Sequence, residues 1–162
     1  MIGAAEFRRV LGHFASGVTI VTTCSPDGRP TGLTASAFTS VSLDPPLVLI
    51  CVDHKSQSHA PLCEHGRFAV NFLSVEQEAL SRKFATTRLD KFDGVPHRMT
   101  ALGVPVIDGV LAHLQCVTVS RYDEGDHTIL VGRVEETDAG EGGEPLLYYR
   151  GQYARIHQGT PR

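Results

Sequence analysis

Thr31-Gly-Leu-Thr-Ala-Ser-Ala-Phe-Thr-Ser-Val-Ser-Leu-Asp-Pro-Pro46, running directly into Leu47-Val-Leu-Ile-Cys-Val-Asp53, decides how this chain folds. Thr34, Ser36, Thr39, Ser40 and Ser42 place five hydroxyls within nine residues, separated by Ala35, Ala37, Phe38 and Val41. The segment is polar without being charged. It suits either a Thr/Ser-rich strand at a sheet edge or a wall against a flat, hydrogen-bonding ligand, where Ala lets the backbone come close. Asp44-Pro45-Pro46 should end it, because two prolines remove two ladder donors. The unbroken apolar run over 47–53 then reads as a buried strand.

Working outward, Val18-Thr-Ile-Val-Thr-Thr-Cys24 is rich in β-branched residues, and Ser25-Pro-Asp-Gly-Arg-Pro30 supplies hairpin chemistry before the hydroxyl strand. Upstream, Phe7, Val10, Leu11 and Phe14 fall at helical spacing, predicting an amphipathic helix over 5–15 that Gly17 stops. Downstream, Ser58 is placed to cap a short helix through Glu64, with Gly66 ending it. A strand follows over 68–73, and Ser74-x-x-Gln77 is a capping box opening a helix over 75–86. Residues 87–103 read as mostly irregular. Two long strands, 110–122 and 127–137, flank Asp123-Glu-Gly-Asp126 as a hairpin. Ile129 and Val131 alternate with Leu130 and Val134, so both faces are apolar and both should be covered, one by the core and one by a second subunit. A loop over 139–144 leads to a last strand over 145–156 and a frayed tail over 157–162.

Six to eight strands without alternating crossover helices argue against a doubly wound sheet and for an antiparallel barrel with two or three short peripheral helices. At 162 residues, with 41% apolar and 20% charged residues, the chain reads as a single domain, ordered over about 5–156. A net charge of −3 speaks against nucleic-acid binding. No apolar run is long enough to span a bilayer, and the N-terminus lacks the order of a secretory signal. The widely spaced Cys24, Cys51, Cys63 and Cys116 read as reduced thiols in a cytoplasmic protein.

No glycine-rich nucleotide loop and no nucleophile elbow is present. Phosphate could instead be held by Lys55, Ser56 and Ser58, with Arg82 and Lys83 adding charge from the next helix. Cys51, His54, His59, Cys63 and His65 crowd together, but their spacing fits no zinc pattern, so no metal is expected. His127 emerges from the hairpin turn, placed to reach into a cleft. A Ser36–His127–Asp126 hydrolase is disfavoured, because neighbouring strand residues point oppositely and Asp126 would be badly placed to orient His127.

The chain resembles the short-chain flavin reductases, the NAD(P)H:flavin oxidoreductase components of two-component flavin monooxygenases. The resemblance rests on residues 7–23, the Gly-Leu-Thr-Ala-Ser-Ala-Phe-Thr-Ser-Val-Ser-Leu-Asp-Pro-Pro of 32–46, and Phe-Ala-Val-Asn-Phe-Leu of 68–73. It continues through Arg-Lys-Phe-Ala of 82–85, Asp-Lys-Phe-Asp-Gly-Val of 90–95, Gly-Asp-His-Thr-Ile-Leu-Val-Gly-Arg-Val of 125–134, and 146–153. It implies a Greek-key split β-barrel of the FMN-binding type, a homodimer, and hydride transfer from NADH or NADPH to FMN or FAD. A partner monooxygenase would receive the free reduced flavin. By the same likeness Thr34, Ala35, Ser36 and Ser40 would contact the flavin ring and ribityl chain. Asp53, Lys55, Ser56, Arg82 and Lys83 would serve the ribityl and phosphate end. His127 would line the nicotinamide side, with Tyr149 or Tyr153 beside it. Ala37 stands where the family often has serine and carries no hydroxyl. Two other uses of the same barrel are a non-catalytic FMN-binding electron-transfer protein and a pyridoxamine-phosphate-type oxidase.

Overall fold

The computed structural model describes residues 1–157. In chain order the elements are α1 (Ala4–Leu11), β1 (Ser16–Gly17), β2 (Thr19–Cys24), β3 (Pro30–Ala35), β4 (Phe38–Leu43), β5 (Pro46–Asp53), α2 (His59–His65) and β6 (Arg67–Phe72). A 3₁₀ turn (Val75–Gln77) leads into α3 (Glu78–Phe84). Then come β7 (His97–Met99), β8 (Pro105–Ile107), β9 (Ala112–Glu124), β10 (His127–Ala139), β11 (Leu147–Tyr149) and β12 (Gln152–Ala154). Seven strands form one antiparallel sheet in the order β3-β2-β6-β9-β10-β5-β4. The two edge strands, β3 and β4, are joined by only Ser36 and Ala37 and do not pair with each other. The sheet curls into a split barrel whose interior is one apolar cluster. Val21, Ala35, Ile50, Phe68, Val70 and Leu130 bring β2, β3, β5, β6 and β10 together there.

All six residues of β2 are buried because both of its faces are covered. Val21 points into the barrel, whereas Ile20 joins Leu73, Phe84, Ile107 and Leu146 in a second cluster under α3. Buried Asn71 ties the layers, donating to the Ile20 carbonyl at 2.9 Å and accepting the Ile107 N–H at 3.0 Å. Its pairing satisfies a side chain that would otherwise be costly to bury.

Several boundaries differ from the sequence expectation for local reasons. α1 ends at Gly12 rather than Gly17, because the chain turns into β1, which pairs with β11. Its apolar stripe meets no core: Phe7, Val10, Leu11 and Phe14 are 51%, 52%, 53% and 83% exposed. Ser58 does not cap α2; its hydroxyl donates to the Gly32 carbonyl at 2.9 Å. The expected strand over 145–156 is broken into a hairpin at Arg150 and Gly151, both with positive φ. Within 87–103, β7 forms and pairs with β8. The expected tail, beyond His157, lies outside the described residues. No helix among the described residues is long and apolar enough to cross a membrane.

Gly132 sits at a tight point of the barrel. A Cβ there would lie 2.5 Å from Cζ of Phe68 and 2.9 Å from Cβ of Cys116, beside a register shift in the β9–β10 ladder. Burial pushes the Cys116 thiol up to about 12, so it serves as a packing group. Gly132→Ala is expected to lower the urea midpoint by an amount equal to about 1–3 kcal/mol, the usual cost of overpacking. An unchanged midpoint would mean that the barrel is looser than this contact requires.

Candidate functional site

The site is built on the outer face of β3. Leu33 and Ala35 point into the barrel, so alternation turns Gly32, Thr34 and Ser36 outward toward α3 and the segment that follows it. The Thr34 hydroxyl donates to the Ser81 carbonyl at 2.6 Å, fixing α3 against the strand. Three walls result: β3, the loop after β5, and residues 85–93 after α3. Between them a cavity of about 260 Å³ is lined by Thr34, Asp53, Lys55, Ser56, Thr86 and Lys91. It continues past Thr34 into a smaller one of about 180 Å³, lined by Ser36, Ser81, Ala85, Tyr148 and Tyr153. Ser36 and Tyr148 lead on into a groove of about 610 Å³ that reaches His127 and the apolar stripe of α1.

The charged end of this cleft is unusual. Lys91 is 6% exposed, and its ammonium donates to the carbonyls of Gly32 at 3.1 Å and Phe84 at 3.2 Å. No carboxylate among the described residues forms an ion pair with it. Burial lowers its pKa from the ordinary lysine value. A buried cation with one donor left over and no counter-ion is a place for an anion. Lys55 adds a second cation at the same cavity. Asp53 organises the loop beneath, its Oδ1 accepting the Lys55 N–H at 2.8 Å. The Ser56 hydroxyl accepts the Ser58 N–H at 3.2 Å.

At the other end the structure overturns one expectation. Nδ1 of His127 lies 2.7 Å from Oδ1 of Asp126. Alternation does not separate them, because Asp126 belongs to the turn with Gly125 and β10 begins only at His127. The hydrogen bond from His127 holds the Asp126 carboxyl below its usual range. Since an ionised carboxylate can only accept, Nδ1 carries the proton and Nε2 is free, an acceptor when the ring is neutral. No hydrogen bond among the described residues joins His127 to Ser36, so the pair does not make a hydrolytic triad.

Of the residues expected at the site, Thr34, Ser36, Asp53, Lys55 and Ser56 are brought together in the cleft, and His127 stands at its far end. Ala35 is inside the barrel and can offer only backbone. Ser40 is exposed on β4, outside these cavities. Arg82 lies beside the cleft, paired with Glu78 at 2.7 Å and 4.6 Å over the Tyr153 ring. Lys83 turns away, donating to the Asp93 carbonyl. Tyr149 faces away as well, edge-on to His13 at 6.4 Å. Its strand neighbour Tyr148 points inward instead, joined by Tyr153, whose hydroxyl lies 2.7 Å from that of Ser81. Ala85, Thr86, Thr87 and Lys91 line the cleft without a role assigned from the sequence: α3 ends at Phe84 rather than continuing to 86, and the path beyond it follows no period that would orient Lys91.

The crowded histidines are used structurally. His54 and His59 direct Nε2 at the buried Thr128 hydroxyl, at 3.1 and 2.7 Å, and that hydroxyl donates to Asp123 at 2.6 Å. Among the described residues no group of three or more His, Cys, Asp or Glu side chains is arranged to hold a metal ion.

Comparison with known proteins agrees with this geometry. Residues 11–157 match the family described as Flavin reductase like domain. The reductase subunit of a flavin-dependent monooxygenase from Rhodococcus jostii is 43% identical over 155 residues, covering 96% of this chain and 79% of that protein. A flavin reductase from Pseudomonas putida is 42% identical, covering 91% of this chain and 86% of that one. Among solved structures, the NADH:FAD oxidoreductase of Streptomyces globisporus, in complex with NAD and FAD fragments, superposes with a TM-score of 0.89. It is 41% identical and covers 95% of this chain and 93% of its own. This chain belongs to the flavin reductase family.

Proposed function

We propose that this chain uses NADH or NADPH to reduce FMN or FAD, and that the reduced flavin leaves for a separate flavin-dependent monooxygenase. The observation that carries the reading is the buried Lys91 ammonium at one end of a cleft whose other end opens at His127. A flavin supplies, when bound, a ring that accepts hydride from the nicotinamide. The chain's own residues have the simpler task of positioning. Lys91, Lys55 and Ser56 would hold the phosphate, while Asp53 keeps their loop in shape. Thr34, whose hydroxyl is already committed to α3, and Ser36 would present the edge of β3 to the ribityl chain and ring. Ala85, Tyr148 and Tyr153 would close the opposite side and exclude water.

His127 would face the nicotinamide carboxamide, whose NH₂ can donate to the free Nε2, with Asp126 holding the ring in orientation. Proximity of this kind is sufficient for hydride transfer, which needs aligned rings more than an acid or base. A partner monooxygenase is consistent with the reductase subunits among the relatives, including one from Rhodococcus jostii. The electron-transfer and oxidase alternatives gain no observation of their own.

We also propose a homodimeric, cytoplasmic protein acting as one domain. Its apolar α1 stripe borders the same groove as His127, and Ile129 and Val131 are only half-buried on the outer face of β10. A second copy would cover these surfaces and wall the nicotinamide end of the cleft.

Three outcomes test this reading. His127→Ala should raise the KM for the nicotinamide about tenfold, as expected for loss of an oriented hydrogen bond, with little change in flavin affinity; unchanged steady-state kinetics would remove His127 from the site. Lys91→Met should cut the advantage of FMN over riboflavin in fluorescence titrations by about tenfold or more. Because burial lowers the Lys91 pKa from 10.5, its charge is complete below the lowered value and lost as pH rises through it. The FMN advantage should therefore decline over that window in the parent protein and be flat in the variant. Fold stability should rise there, since the unfolded chain keeps the proton longer. Finally, sedimentation should give a mass of two chains, and Phe14→Glu should give one; a monomeric parent would refute the dimer.

A further inference from the structure

The two ends of the cleft meet behind its wall, where β5 and β10 pair with Asp53 opposite His127 and Val52 opposite Thr128. Lys55 and Ser56, at the anion end, follow directly on β5, while His127, at the far end, begins β10. Alternation turns Thr128 away from His127 and onto the face of Leu130, toward the end of the barrel interior that Leu62 of α2 closes. There Thr128 is fully buried.

Three side chains close on its single hydroxyl. It donates to Oδ1 of Asp123 at 2.6 Å, which holds the Asp123 carboxyl below its ordinary range. With its only proton committed, the oxygen can only accept from Nε2 of His54 at 3.1 Å and Nε2 of His59 at 2.7 Å. Both rings therefore carry a proton on Nε2. They stand edge to face with 5.1 Å between centroids. A hydroxyl has one donor and two acceptor positions, and here all are filled.

Where the two histidines sit in the chain gives this cluster its consequence. His54 precedes Lys55 and Ser56 and His59 follows them, so the anion-end loop is pinned at both of its ends to one atom. The His54 backbone N–H also donates to the carbonyl of Asp126 at 3.0 Å, and the Asp126 carboxylate is the group that orients His127. Thr128 itself is the next residue after His127. Valine in its place would keep the shape and leave both imidazole N–H groups without their acceptor.

We propose that Thr128 is a positioning residue for the reductase reaction, its hydroxyl coupling the loop that carries Lys55 to the ring of His127, so that one contact sets both ends of the cleft. This rests on the reading of the cleft given above, and it adds a residue that lines neither end.

The test compares the parent with Thr128→Val, Thr128→Ser, His127→Ala and the Thr128→Val/His127→Ala pair. KM and kcat for NADH would be measured at saturating FMN, and dissociation constants for FMN and riboflavin by fluorescence quenching. Thr128→Val should raise the KM for NADH about fivefold and cut the advantage of FMN over riboflavin about fivefold, the effect of losing one hydrogen bond at each end. Its riboflavin affinity should not change. Thr128→Ser keeps the hydroxyl and should restore both quantities to within about twofold of the parent. In the His127→Ala background, Thr128→Val should move the KM no further, because it acts through that ring, yet still reduce the FMN advantage. A role in stability alone would lower the melting temperature and leave these constants unchanged, and that result would overturn the proposal. So would a KM shift of equal size with and without His127, or a Thr128→Ser variant that behaves like Thr128→Val. If His127→Ala alone leaves the KM unchanged, the placement of His127 is what fails. The FMN advantage of Thr128→Val then decides: its loss upholds the pinned loop and its retention overturns it. Should Thr128→Val not fold, His54→Ala, at a partly exposed side chain, takes its place and should cut the FMN advantage about threefold; an unchanged advantage overturns the proposal. A parent that binds no flavin would refute the flavin reading and this proposal with it.

Discussion

The segment after α3 must be held against the outer face of β3, and the rest of the site depends on that constraint. Two interactions enforce it: the Thr34 hydroxyl bonded to the Ser81 carbonyl, and the Lys91 ammonium bonded to the carbonyls of Gly32 and Phe84. Gly32 permits the approach, since a Cβ there would meet the Val21 carbonyl oxygen at 2.6 Å and the Phe84 ring at 3.3 Å. With no side chain in the way, strand, helix and following segment meet closely enough to form the walls of one cleft. The same contact buries a charge. An anion bound beside it would offset that cost.

A barrel with an external cleft separates stability from binding. Apolar groups of β2, β3, β5, β6 and β10 fill the interior, and the alternate residues of β3 are left free for a ligand. The site therefore needs few side chains of its own, and most of them are hydroxyls, backbone groups and lysines. Such a surface would hold a flat cofactor without enclosing it. That is compatible with a flavin that enters oxidised and leaves reduced.

Much of this was legible from residues alone, and the exceptions have physical causes. The β-branched strands and the long hairpin were readable because turn chemistry and β-branched runs act locally, but the hydroxyl segment, expected as one strand, is two, β3 and β4, broken at Ser36 and Ala37 and set at opposite edges of the sheet. Alternation separates Tyr149 from Tyr148: one residue along a strand exchanges the cleft for the outside, so Tyr148 lines the cavity and Tyr149 does not. His127 and Asp126 were misjudged by applying strand alternation to a turn. Lys91 falls within the 90–95 stretch of the resemblance but drew no role, because its neighbours, Asp90 and Phe92, sit in a segment without period, whose path is set by tertiary contacts. The α1 stripe reads as apolar from its spacing, and among the described residues no core covers it.

Oxidation of reduced nicotinamide by the purified protein, followed at its absorbance band with and without added flavin, tests the central claim most directly. The account predicts a rate that is negligible without flavin and saturates as flavin is added, marking flavin as a substrate that comes and goes. A rate indifferent to added flavin, or no oxidation with either nicotinamide nucleotide, would contradict it.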